Sequence, residues 1–265
     1  MKTILRSGAC LLAALCLCAC GATAVIPAGA TAETAERNEL GLLEARQSSD
    51  HAEALIAALP LLPQTGETAL WLPEAIRLEM ENIDQNPELP NGCEITSAAI
   101  VLNYLGFAAD KVELAEQYLP KGLYWEVDPN QAFMGNPADE LAFYCLPGPV
   151  VAAMNAYLET VGGGYKAVDI TGAGTEDLYA FVANGLPVLV WTTRAFSDPL
   201  YNYSFQLPNG GWPYSNSHCL VLTGYDSENC YVADPMLEVA QTDRASFTQS
   251  FIDRGRYAVV ILPEE

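Results

Sequence analysis

Cys93, His218 and Asp234 are the residue types that together perform nucleophilic acyl transfer. A thiol attacks, an imidazole takes and returns its proton, and a carboxylate fixes the tautomer and stabilises the imidazolium. Cys93 follows a Pro- and Gly-rich lead-in and stands where Ile95, Ala98, Ala99, Leu102 and Leu105 begin to recur at helical spacing. Gly106 supplies a C-terminal stop, so the pattern predicts a buried amphipathic helix from about Cys93. Backbone N–H groups at a helix start carry partial positive charge, which predicts a depressed thiol pKa and reaction with electrophiles below the usual thiol range. The alternative is a small buried Cys packed like Ala. His218 and Asp234 lie at equal distance from Asp226, in the turn of a predicted hairpin, and residues equidistant from a turn face each other. Alone, such a pair also reads as a surface ion pair.

The elements that must position these residues can be read in order. Ile76, Leu78 and Met80 alternate with charged residues as in a half-buried strand leading toward Gln85. After the central helix, Asp110 and Glu113 form a capping-box pattern for a helix to Tyr118. Lys121 to Pro147 is a long aromatic loop, readable as a binding wall or as a satellite cluster. Helices are predicted from Pro149 to Thr160 and, capped by Thr175, to Asn184. Strands are predicted at Tyr165–Ile170, Pro187–Thr193, His218–Tyr225, Cys230–Ala233 and Tyr257–Leu262, with a short helix at Ser246–Ile252. A second long loop, Arg194 to Ser217, holds Trp212 and three tyrosines. Helices lead and strands dominate the end, so the class is α+β.

The amino terminus carries Lys2 and Arg6 before an apolar run from Ala9 to Ala19, too short for a membrane span, and residues 1–20 read as a secretory signal. Leu17 to Gly21 resembles a bacterial lipoprotein cleavage box in which Cys20 would bear lipid. Simple secretion after Ala24 or Ala30 is the alternative. The expected location is extracytoplasmic, as a surface lipoprotein or a secreted protein, with membrane contact only through Cys20. Residues 21–71 read as an Ala/Glu-rich tether with weak helix around Ala35–Arg46 and Ala52–Leu59, and residues 72–265 as the compact domain. His51 in the tether is expected to be solvated.

With 33 Asp plus Glu against 12 Lys plus Arg, the chain lacks the basic surface that nucleic acid requires. Cys93, Cys145, Cys219 and Cys230 lie in the body, and two His with no Cys-x-x-Cys pair give no basis for a metal or other cofactor. If Cys93 is a nucleophile it stays free, leaving at most one bridge among the other three.

The blocks IDQNPELPNGCEITSAAIVLNYLGF, NGLPVLVWTT, HCLVLTGYD and YVADP together resemble the stand-alone relatives of the bacteriocin-processing cysteine peptidases, family 39 of the cysteine peptidases, from about Leu72 to Leu262. The resemblance implies a papain-like fold, with a helix-borne Cys packed on an antiparallel sheet carrying His and Asp. It implies Cys93 as nucleophile, His218 as general base and acid, Asp234 as orienter, and Gln85 as oxyanion donor with the Cys93 N–H. Gln85 lies eight residues before Cys93 where those relatives have six, so Asn91 stands as the alternative donor. The transporter and nucleotide-binding domains of the bacteriocin-processing members are absent, so export of a leader peptide is not implied.

Three functions fit these residues: an exported thiol peptidase acting on peptide or protein substrates, a cell-wall amidase or transpeptidase on the same fold, and a surface binding module without catalysis.

Overall fold

A computed structural model of the chain describes residues 50–57 and 72–264. The expected signal segment, Cys20 and the rest of the tether lie outside these residues.

Strands β1 (Ile76–Arg77), β4 (Tyr165–Asp169), β5 (Val188–Thr193), β6 (Ser217–Tyr225), β7 (Asn229–Ala233), β8 (Gln241–Asp243) and β9 (Ala258–Pro263) form one antiparallel sheet. Its order is β4-β9-β5-β6-β7-β8, with β1 on the far end of β6. A small parallel pair, β2 (Lys121–Gly122) and β3 (Phe133–Met134), lies inside the first long loop.

Helices cover both faces of the sheet. Leu189, Trp191, Cys219, Val221, Val259 and Ile261 pack with α1 (Cys93–Tyr104) and α3 (Pro147–Val161). Val188, Val190, Leu220, Leu222 and Val260 pack with α4 (Thr175–Ala183) and α5 (Arg244–Asp253). Successive side chains of a strand point to opposite faces, so a strand covered on both sides must be apolar throughout. That is why PVLVWTT shows no alternation. The helical residues 50–57 add Ala52 and Ile56 to the second face, so this part of the segment read as a tether is docked on the domain. His51 is exposed there.

Several local readings change. α1 is buried on every side from Cys93 to Leu102, Glu94, Thr96 and Ser97 included, and is not amphipathic. α2 (Lys111–Glu113) is capped by Asp110, which accepts from Val112 N and Glu113 N, and then widens into a π-helical turn at Leu114–Tyr118. The cap of α4 is Gly174, whose N–H donates to Asp177 at 2.7 Å, in place of a Thr175 cap. β1 is two residues long and crosses Gly224 at close range: a Cβ there would lie 2.4 Å from the Ile76 carbonyl oxygen.

Candidate active site

The thiol stands at the first residue of α1. The N-cap, Gly92, offers no side-chain hydrogen bond, and a Cβ on it would lie 2.6 Å from the Leu89 Cβ, so the turn feeding α1 requires glycine. Cys93 is 7 % exposed. Its Sγ donates to Glu94 Oε2 at 3.3 Å, while Glu94 Oε1 accepts from the Cys145 N–H at 3.1 Å. Burial, then the Glu94 and Cys219 charges, push the thiol well above its ordinary value. The expected depressed thiol is therefore corrected: a helix start contributes half a charge at most, and it is outweighed by loss of water and an adjacent carboxylate. Burial, the largest cause, raises the Glu94 carboxyl to about 7 against lowering hydrogen bonds from its own backbone, Cys93 and Cys145.

β6 supplies the imidazole. Ser97 Oγ donates to the Cys219 carbonyl at 3.2 Å, fastening α1 to β6 one residue past His218. His218 is buried, and its Nε2 bonds Asp234 Oδ1 at 2.7 Å. No hydrogen bond joins Cys93 to His218; the thiol proton points to Glu94.

Asp234 is held from every side. Oδ1 also accepts from Met236 N at 2.9 Å, and Oδ2 accepts from Glu238 N and Val239 N, each at 3.1 Å. Burial acts to raise this carboxyl, but the His218 bond and charge and the backbone donors hold it below its ordinary value.

The expected hairpin register was off by two residues. Tyr225 pairs with Cys230 and Gly224 with Tyr231, then a bulge at Thr223 shifts the pairing so that Leu222 meets Val232 and Val221 meets Ala233. Continued one step, this sets Asp234 against Leu220, diagonal to His218 on the same side of the strand. Without the bulge Asp234 would fall opposite Val221, on the other face. Asp226 is the turn residue, accepting from the Tyr231 hydroxyl, then from Glu228 N and Asn229 N, which lower it to about 2.

Gln85 is buried, and its Nε2 donates to the Pro90 carbonyl at 2.7 Å, while Oε1 has no hydrogen-bond partner. Its side chain thus closes the loop before α1, with one amide hydrogen left over. Asn91 does not cap the helix. Its Nδ2 donates to the Asp139 carbonyl at 2.7 Å, pinning the first long loop.

Glu94 was missed as a site residue, although one charged residue in an otherwise apolar helix start is a legible signal. Arg254 was also missed. It is buried between Tyr144 and Tyr214, 4.8 and 4.3 Å from their ring centroids, and its Nη2 donates to Ser217 Oγ at 2.9 Å beside His218. The two long loops meet through Tyr124, Phe143 and Phe205, the first two packed against the core on the α1 face, with Trp125, Tyr203 and Trp212 exposed around them. All four body cysteines are free. Among the described residues, no cluster of His, Cys, Asp and Glu could hold a metal ion.

A thiol-headed helix packed against an antiparallel sheet with His and Asp at its strand ends is the papain-like cysteine peptidase fold. The chain belongs to the Peptidase_C39 like family, whose model matches residues 77–259. It is 34 % identical over 181 residues to "Uncharacterized protein YvpB" of Bacillus subtilis (strain 168), covering 66 % of this chain and 70 % of that one. It is also similar to a crystal structure described as a C39-like peptidase from Bacillus anthracis, with 31 % identity and a TM-score of 0.65 over 73 % of this chain and all of the other.

Proposed function

We propose that the protein is an exported thiol peptidase that hydrolyses peptide bonds through Cys93, His218 and Asp234. The observation that carries this reading is the 2.7 Å bond between His218 Nε2 and Asp234, on a strand fastened to the helix that Cys93 heads. With Nε2 committed to the carboxylate, Nδ1 is the nitrogen left to receive the thiol proton. The thiolate adds to the carbonyl carbon, the amine leaves with the proton carried by the imidazolium, and water then cleaves the thioester by the same proton route. The Cys93 N–H and the second hydrogen of the Gln85 amide would stabilise the oxyanion once that side chain turns toward it. The family supports peptide or protein substrates.

The test is a peptide-library digest run beside a muropeptide digest. Cleavage of peptides, abolished in Cys93→Ala and His218→Ala and unchanged in His51→Ala, is the expected result. Loss of a covalent nucleophile or its base costs several orders of magnitude, roughly a thousandfold or more. Activity on muropeptides alone would reassign the protein to the cell-wall amidases, and a Cys93→Ala variant within about tenfold of the parent would remove Cys93 from the mechanism.

A further inference from the structure

Glu94 has no part in the reaction scheme above, yet it is wholly buried one residue after the thiol. Among the described residues it forms no ion pair with Lys, Arg or His. Its two oxygens are held by the Cys145 N–H at 3.1 Å and by the Cys93 thiol at 3.3 Å. A thiol has one proton to donate, so an S–H pointed at Glu94 is withheld from His218.

We propose that Glu94 is a positioning residue whose carboxylate clasps the Cys93 S–H, holding the nucleophile protonated and turned away from His218 in the resting enzyme. The inference rests on the reading of Cys93 as nucleophile. One proton is shared across the contact. When it crosses, Cys93–SH and Glu94–COO⁻ become Cys93–S⁻ and Glu94–COOH, and the neutral carboxyl donates back to the sulfur it has released. At neutral pH the proton lies on sulfur, because burial pushes the thiol well above its ordinary value and brings the carboxyl only to about 7.

The groups facing this pair come from β6 and from the segment before α3. His218 and Cys219 belong to β6, and Tyr144 and Cys145 precede α3. Arg254, beyond α5, acts on Cys219 and Tyr144 and does not touch Glu94. An imidazolium at His218, once it has taken a proton, favours the ionised Glu94 carboxylate.

The experiment is alkylation of the full chain by iodoacetamide between about pH 5 and 10, with Cys93 modification quantified by peptide mapping in the parent and in Glu94→Gln. Mapping separates Cys93 from the other free cysteines, and circular dichroism monitors the fold. The parent is expected to have its midpoint at or above the ordinary thiol value of about 8.5. Glu94→Gln should lower it by at least about one unit, about tenfold more alkylation at neutral pH, because the amide removes the charge and has an N–H to give to sulfur. A folded Glu94→Gln protein whose profile coincides with the parent's overturns the proposal, since a merely structural role changes melting and leaves the profile in place. If that variant does not fold, the parent decides alone, and a midpoint below about 8.5 overturns the proposal. Alkylation needs no substrate, so failure of the parent to cleave peptides would sink the peptidase reading and leave this result standing.

Discussion

At the residue scale, Asp234 accepts four hydrogen bonds, from the imidazole and from three backbone N–H groups of the loop that follows it. An amide in its place has one accepting oxygen, and its NH2 would face backbone donors. Asp234→Asn should therefore lower turnover less than His218→Ala does, since the oxygen still orients the imidazole, but it should also cost about 2 kcal/mol of stability. Because the folded pKa of Asp234 is depressed, its contribution is fully present above the unfolded carboxylate value and is lost as pH falls through the folded one. Denaturant titrations should accordingly show a flatter acid limb in Asp234→Asn than in the parent. Gln85 and Asn91 divide differently from the spacing argument. Gln85→Ala should reduce turnover by roughly a hundredfold if its free amide hydrogen serves the oxyanion. Asn91→Ala, losing only the bond to the Asp139 carbonyl, should cost about 1 kcal/mol with little kinetic effect. The opposite pattern of melting and turnover would move the donor to Asn91.

At the scale of elements, the β6–β7 hairpin does the positioning. Its bulge at Thr223 puts Asp234 on the side of His218, and Gly224 beside it lets β1 pass within contact distance. A Cβ at position 224 would meet the Ile76 carbonyl oxygen at 2.4 Å and the Arg77 Cα at 2.8 Å, both backbone atoms of limited freedom. Gly224→Ala should lift β1 from the sheet edge at a cost of about 1–3 kcal/mol. Hydrogen exchange should then show lost protection at Leu78, whose N–H donates to the Thr223 carbonyl at 2.8 Å. Unchanged protection there would mean that β6 rebuilds its bulge around the new methyl.

At the scale of the whole molecule, the chain is strongly acidic, with a formal net charge of −21, which disfavours polyanions. The proposed export and anchoring are read from the sequence of residues 1–20. We expect the protein to partition with membranes and to incorporate labelled fatty acid, and Cys20→Ala to release it in soluble form. A parent that is unlabelled and soluble would instead favour simple secretion.

The sequence alone determined the chemistry-bearing types and the local elements around them. The Gly-Cys helix start, the His-bearing strand and the strand that leads into Asp234, Asp226 in the turn and the Asp110 cap are set by short-range pattern and backbone chemistry, and they lie where the pattern put them. The tertiary structure decided everything that depends on neighbours distant in the chain. A bulge of one residue changes which face a side chain takes, and period-two patterning cannot reveal it in strands covered on both faces. The state of the Cys93 thiol likewise followed from burial and from Glu94, because a helix start acts through a partial charge, whereas desolvation and a full charge in contact act more strongly.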